Sequence, residues 1–229
     1  KMFAFLGRYY PAFLEGTAQT IIISIIASII GILIGLLLVL MRISDNKILA
    51  TISRVYISVV RGTPSMIQVM LIYYSLSKVL SIPPIHILGA SLDRVLPGSI
   101  ALGLNSGAYT AEGFRSGIIS IPKGQTEAGL SLGMTRHMVM FEIVLPQAVR
   151  NALPAMGNEF ISLIKESSVL FYIGVQEVTA QALGVGGTLY DFVPPLIVAA
   201  AVYFVLTFTL SWIIGYFEKK MSRKYTRLA

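Results

Sequence analysis

Residues 16–41 and 192–217 contain no Asp, Glu, Lys or Arg. Each run exceeds the roughly 20 residues that a helix needs to cross the hydrocarbon core of a bilayer. Hydrophobic residues make up 55% of the 229 and charged residues only 13%, more apolar surface than a water-soluble domain can hide. Shorter uncharged runs lie between Arg61 and Lys78 and between Arg94 and Glu112, and a further apolar stretch, 151–175, is interrupted by Glu159, Lys165 and Glu166. The expectation is an all-α integral membrane protein, a single transmembrane domain over 1–229 with five spans at about 16–41, 62–80, 98–119, 151–173 and 192–217. The first run is too long for a signal-peptide core and lacks a small-residue cleavage pattern, so it reads as a retained span.

Basic residues set the orientation. With the N-terminus outside, the inner segments hold Arg42, Lys47, Arg54, Arg61, Arg115, Lys123, Arg136, Arg150, Lys219, Lys220, Arg223, Lys224 and Arg227, most of the 18 Lys and Arg. Only Lys1, Arg8, Lys78 and Arg94 fall outside, and Lys165 falls within a span. The positive-inside bias therefore places the C-terminus in the cytoplasm. The net charge of +7 follows from that topology and from anionic inner-leaflet lipid, and a nucleic-acid partner is not implied. There is no cysteine, which excludes disulfides and thiolate metal sites. His86 and His137 are far apart in sequence and read as loop or surface residues, with no metal site.

Small residues recur at four-residue spacing in Gly31 with Gly35, Gly103 with Gly107, and Gly113 with Gly117. In lipid such spacing lets helices approach closely, although glycine is also simply frequent in membrane helices. Residues 48–60 form an amphipathic inner lead-in, and Pro64 suits the first turn of the second span. Prolines and glycines punctuate 81–98, and 176–191 carries Gly184, Gly186 and Gly187 without Lys or Arg; both read as outer loops.

Ionisable residues inside a span cost about 2.5–3.5 kcal/mol on insertion scales, so each needs a partner or a wet cavity. Asn105, Tyr109 and Glu112 share one helical face, with Ser106 beside them; Glu159, Ser162 and Glu166 share another, with Asn158 and Lys165 on the adjacent column. Tyr109 and Ser162 are expected at similar depth. Glu112, Glu159 and Asn105 would accept from an ammonium, while Tyr109, Ser162 and the Asn158 amide would donate to a carboxylate. The bland alternatives are ion pairs of Glu112 with Arg115 or Arg61, of Lys165 with Glu166 or Glu159, and an interhelical bond for Asn158.

Between spans, residues 124–146 read as two short helices with a greasy face formed by Leu130, Leu132, Met134, Met138, Phe141, Val144 and Leu145. Gly133 serves the turn where a side chain would clash, and Pro146 the first turn of the helix that follows. The spacing Glu127-Ala128-Gly129, Gly133, then Ile143-Val144-Leu145-Pro146 resembles the cytoplasmic EAA loop of bacterial ABC importer permeases. Gly129 replaces the usual second alanine, which should loosen the first turn slightly. Arg61-Gly62-Thr63-Pro64, Ala111 to Arg115, Pro122 to Gln125, Asn158 to Ile161 and Lys165 to Ser168 resemble the subset that carries polar amino acids.

That resemblance implies the type I ABC importer permease fold, with cytoplasmic coupling helices, in the cell membrane of a bacterium. It implies import of polar amino acids by alternating access, a substrate site at Asn105, Ser106, Tyr109, Glu112, Asn158, Glu159 and Ser162, and an ATPase-docking element at Glu127, Ala128, Gly129, Gly133, Leu145 and Pro146. Three partners follow: a cytoplasmic ABC ATPase dimer, a second permease subunit, and an extracellular or periplasmic amino acid binding protein. No G-x-x-x-x-G-K-[ST] sequence occurs, so the chain lacks the phosphate-cradling loop needed to bind and hydrolyse ATP by that route. The resemblance implies a transport subunit and not an enzyme, with no cofactor in this chain and ATP and Mg on the partner ATPase. The alternatives are an ion-driven secondary amino acid carrier, which leaves the docking helices unexplained, and an intramembrane enzyme using Ser162 or Ser168 with Lys165, for which no oxyanion-hole pattern exists.

Overall fold

The computed structural model describes residues 2–79, 82–87 and 90–226. Leu80, at the end of the second expected span, and Lys1 and Arg227, in the charge argument, lie outside the described residues. Helix α1 (Leu6–Ile43) has 38 residues, about 57 Å of rise against a hydrocarbon core of about 30 Å. After Ser44 the chain turns into α2 (Lys47–Arg61), whose first turn is capped by Asn46 accepting from the Ile48 and Leu49 amides. Helix α3 (Ser65–Val79) leaves α2 at 108°. A short hairpin of β1 (His86–Ile87) and β2 (Ala90–Ser91) leads into α4 (Leu92–Ile119).

Helix α5 (Lys123–Ser131) and α6 (Arg136–Met138) follow on the far side. A π-helical segment Val139–Val144 then joins α7 (Leu145–Glu166), which tightens into a 3₁₀ segment, Ser167–Ile173. Two helices remain, α8 (Val178–Leu189) and α9 (Val193–Thr226).

Helix α4 is the centre of the bundle. It packs most extensively against α1, then α7 and α3, and more than half of its residues are buried. The α1 seam is built on glycine: a methyl group added at Gly103 would lie 2.6 Å from Ile30 Cβ, and one at Gly107 2.5 Å from Ile34 Cγ2. In return Gly31 and Gly35 receive Ser106 and Thr110. On the α7 side Gly113 meets Ala155, and Gly117 lies against the Ala148 carbonyl. The four-residue spacings are thus close helix contacts, as small residues permit in lipid. Around them Ile23, Ala27, Val69, Leu102, Leu163 and Leu170 form the main buried cluster.

Three expectations change. By length and apolarity, α1 and the α9 stretch Val193–Lys220 each suffice to cross a membrane alone, and the bent pairs α2 with α3 and Arg136–Ile173 with α8 suffice when taken together. Rich in Gly and Ser, carrying Asp93, Arg94, Glu112 and Arg115, and lodged among other helices, α4 does not reach that apolarity. An inner helix touches little lipid, so it needs less grease than α9, which exposes Phe204, Phe208 and Trp212. Second, the fourth expected span is not separate from the docking helices. One helical run extends over Arg136–Ile173, and Pro146 is the second residue of α7 without a chain break before it. Proline has no N–H and its ring would meet the carbonyl four residues back, at Glu142; the widened π turn ahead of it accommodates both. Third, the expected loop 176–191 is largely α8, capped by Glu177 accepting from the Thr179 and Ala180 amides at 2.9 Å each.

The seam makes a graded test. Gly117→Ala puts a methyl 2.4 Å from the Ala148 carbonyl oxygen, so overpacking should cost roughly 1–3 kcal/mol. Gly215→Ala, where nothing lies within 4 Å, should be neutral or slightly stabilising. Thermal unfolding in detergent separates them; equal midpoints would remove the seam from the stability argument.

Candidate translocation site and docking element

Helix α4 packs on α7, and Ser106 of α4 neighbours Glu159 of α7, whereas Asn105, Tyr109 and Glu112 of the expected face meet Gln68 of α3, Arg61 of α2 and Arg42 of α1. With Gly113 against Ala155 and Gly117 against Ala152, Tyr109 comes level with Glu159 and Ser106 with Ser162. Tyr109 and Ser162, expected at similar depth, are then offset by about three residues along the seam. Ser106 is buried against Gly31 of α1, and its hydroxyl is a hydrogen-bonding neighbour of the Glu159 carboxyl. Glu159 and Ser162 are half-buried, Asn158 is exposed, and Tyr109 is 38% exposed.

Not every candidate is free to meet a ligand. Glu112 accepts from Arg115 Nε at 2.8 Å and from Arg42 Nη1 at 3.2 Å. It ties the C-terminal ends of α1 and α4, so the ion-pair alternative holds for it, with Arg42 as the second partner in place of Arg61. Arg61 lies instead over the Tyr109 ring, 5.3 Å from its centroid, an attraction between the cation and the ring face. Lys165 is exposed and forms no ion pair with Glu159 or Glu166 among the described residues. Asn105 is buried at 3% exposure and donates from Nδ2 to Gln68 Oε1 at 2.9 Å.

Gln68 and Arg42 are the residues that sequence reasoning missed. Gln68 stands inside the uncharged run between Arg61 and Lys78, where an amide needs a partner as a charge does, and that was the available signal. Its Nε2 donates to the Val60 carbonyl at 2.7 Å, the Thr63 carbonyl at 3.1 Å and Thr63 Oγ1 at 2.7 Å. The carbonyls freed where α2 breaks into α3 are thereby satisfied.

Outside the bundle, α5 folds back onto the π segment that follows α6. Gly133 has φ +82° and nothing within 4 Å of a would-be methyl. It is needed for its left-handed backbone, not to avoid a clash as expected. Thr135 caps α6 by accepting from the Met138 amide at 3.2 Å. Gly129 is buried, and a methyl there would lie 2.7 Å from Val139 Cγ2 and 3.0 Å from Ile143 Cδ1. Its loss of the usual alanine does not loosen α5, which is an unbroken helix; it lets α5 lie directly on the π segment. Glu127, Ala128 and Pro146 are exposed, and Leu145 is half-buried. Leu132, Phe141, Met138 and Leu130 stay exposed, at 84%, 49%, 41% and 39%, whereas Val144 is buried. The His137 ring sits 4.4 Å from that of Phe141.

A glycine-packed helical bundle with a polar seam inside and an apolar helical pair outside describes the membrane subunit of a transport system. Residues 27–223 match the family described as the binding-protein-dependent transport system inner membrane component, and the chain belongs to that family. It is a permease subunit of an ABC importer and a membrane protein. Among its relatives, the putative glutamine transport system permease protein GlnP of Rickettsia felis is 36% identical over 223 residues, covering 96% of this chain and 99% of that one. The arginine transport system permease protein ArtQ of Bacillus subtilis is 38% identical over 211 residues, 92% and 93% of the two chains. A crystal structure of an amino acid ABC transporter with histidines superposes with a TM-score of 0.87 at 39% identity, covering 95% of this chain and 98% of that one.

The three-charge cluster supports a prediction. Glu112→Gln should destabilise the subunit by about 1–3 kcal/mol, because it leaves two guanidinium groups without their anion. In the Arg42→Gln, Glu112→Gln double variant the losses should be less than additive. Additive losses in thermal unfolding would show that Arg42 and Glu112 do not interact.

Proposed function

We propose that this subunit moves polar amino acids into the cytoplasm by alternating access, powered by ATP on a partner ATPase dimer, with a second permease subunit and a substrate-binding protein completing the complex. In this reading the spans are α1, α3, α4, α7 with its 3₁₀ segment, and α9, five in all, with α2 as the inner lead-in, the N-terminus outside and the C-terminus in the cytoplasm. The basic residues at the α1–α2 turn, the docking element and the end of α9 favour that orientation. Relatives named for glutamine and arginine support the substrate class.

The observation that carries the site is Glu159: a half-buried carboxylate within a span, with no arginine or lysine in an ion pair with it among the described residues, and with the Ser106 hydroxyl and the Glu166 carboxyl as neighbours. An anion in that position is costly unless a cation visits it, and the ammonium of an amino acid is such a cation. Asn105 and Tyr109 on α4 and Ser162 and Asn158 on α7 supply the remaining polar contacts. Glu112 belongs to this site as the group that holds the inner end of α4 through its arginines.

Glu159→Gln keeps the shape and removes the charge, so substrate affinity should fall by about 1.5–3 kcal/mol, a rise in KM of roughly tenfold or more. Assembly and basal ATP turnover should be retained, because the docking element is untouched. Concentration-dependent uptake in proteoliposomes decides it, and an unchanged uptake curve would take Glu159 out of the site.

The exposed apolar residues of α5 and α6, with Glu127 and Ala128 beside them, serve as the seat for the ATPase. Gly133→Val forces a β-branched residue into the left-handed region, which costs at least roughly 1–2 kcal/mol, and should reorient α5 against α6. Co-purification of the ATPase should drop while membrane insertion stays normal. Full retention of the ATPase would refute this role.

A further inference from the structure

We propose that Gln68 is a positioning residue for the amino acid site: it fixes the Asn105 amide so that Asn105 offers its carbonyl oxygen to the substrate ammonium. This rests on the function proposed above. The two ends of a glutamine or asparagine amide have nearly the same shape, and which end points where is set by the partners. At Gln68 the partners leave no choice. The Val60 and Thr63 carbonyls, 2.7 and 3.1 Å away, can only accept, so the nitrogen must face the α2–α3 elbow.

The oxygen of Gln68 therefore faces α4. There it is 2.9 Å from Asn105, and it can only accept, so Asn105 must turn its own nitrogen toward Gln68. The Asn105 carbonyl oxygen takes no part in that bond. Asn105 precedes Ser106, which neighbours Glu159, so on the proposed function its oxygen stands one helical step from the α4 side chain that meets the carboxylate. An ammonium offers three donors and nothing else. Were the Asn105 amide reversed, it would present N–H groups to a cation. The backbone carbonyls of a helix break thus dictate, through two side-chain amides, the polarity of one wall of the site.

The test uses the complete complex in proteoliposomes, with L-glutamine and L-arginine as probes and whichever the unmodified complex imports as the substrate. Gln68→Met keeps the length but cannot accept from Asn105; KM should rise about tenfold with little change in the maximal rate. Gln68→Glu loses the donors to the elbow yet keeps an acceptor for Asn105, so KM should stay at or below that of the unmodified complex. A residue that merely staples the elbow would make both variants equally defective, and that result, or an unchanged KM in Gln68→Met, would overturn the proposal. Gln68→Leu supplies a second apolar replacement if Gln68→Met does not assemble. Glu159→Gln is measured alongside: if it too leaves KM unchanged, the site itself is misassigned, whereas a raised KM there with a normal one in Gln68→Met defeats the role of Gln68 alone.

Discussion

Lipid tails are as apolar as leucine, so helices in a bilayer gain little from burying grease against one another. They hold together by close contact and by polar groups that have nowhere else to bond. The α1–α4 seam supplies the first. Gly31, Gly35, Gly103 and Gly107 bring two backbones near enough for Ser106 and Thr110 to sit in glycine hollows. Everything functional in the chain is referred to this contact, because α4, once fixed on α1, carries the polar face on its other side and sets the register of α7 through Gly113 and Gly117.

The second constraint shows at the helix breaks. Each break frees carbonyls that water would satisfy in a soluble protein and that lipid cannot. At the α2–α3 elbow Gln68 and Thr63 take them. At the end of the 3₁₀ segment Gly174, at φ +80°, turns the chain, and the Arg94 guanidinium donates to its carbonyl at 3.0 Å. At the start of α8 the carboxylate of Glu177 takes two amides and also accepts from Tyr203 of α9. Polar residues within apolar sequence therefore have two distinct employments here, closing breaks and facing the interior. Gln68 joins the two, since the amide that closes the elbow also holds Asn105.

That distinction explains what could be read from the sequence. The long apolar runs, the glycine spacings and the turn at Gly133 depend on local composition or on one residue's backbone, and they were legible. Glu112 and Glu159 are each one carboxylate in an apolar helix, and for Glu112 the sequence already offered Arg115 one turn on. What it could not offer is Arg42, 70 residues away, which the fold brings to Glu112. The α8 helix was read as a loop because its glycines are poor helix formers; contacts with α1 and α9, such as Val178 against Gly16, override that preference. The π segment was invisible for a different reason, since Pro146 suggests a helix start and only the continuity of the chain on both sides shows that the helix widens instead.

That continuity bears on how the two ends of the subunit communicate. Phe141, exposed on the docking element, and Glu159, in the polar seam, stand on one helical backbone, about 27 Å apart at 1.5 Å per residue. A straight helix would pass any tilt at one end to the other. This one contains a widened turn directly beneath α5, where Gly129 lies on Val139 and Ile143, and a widened turn is the softest place in a helix to bend. The side chain that alanine would add at position 129 occupies the space through which α5 presses on that turn. On the proposed function, that widened turn is where α5, the seat of the partner, rests on the helix that carries Glu159.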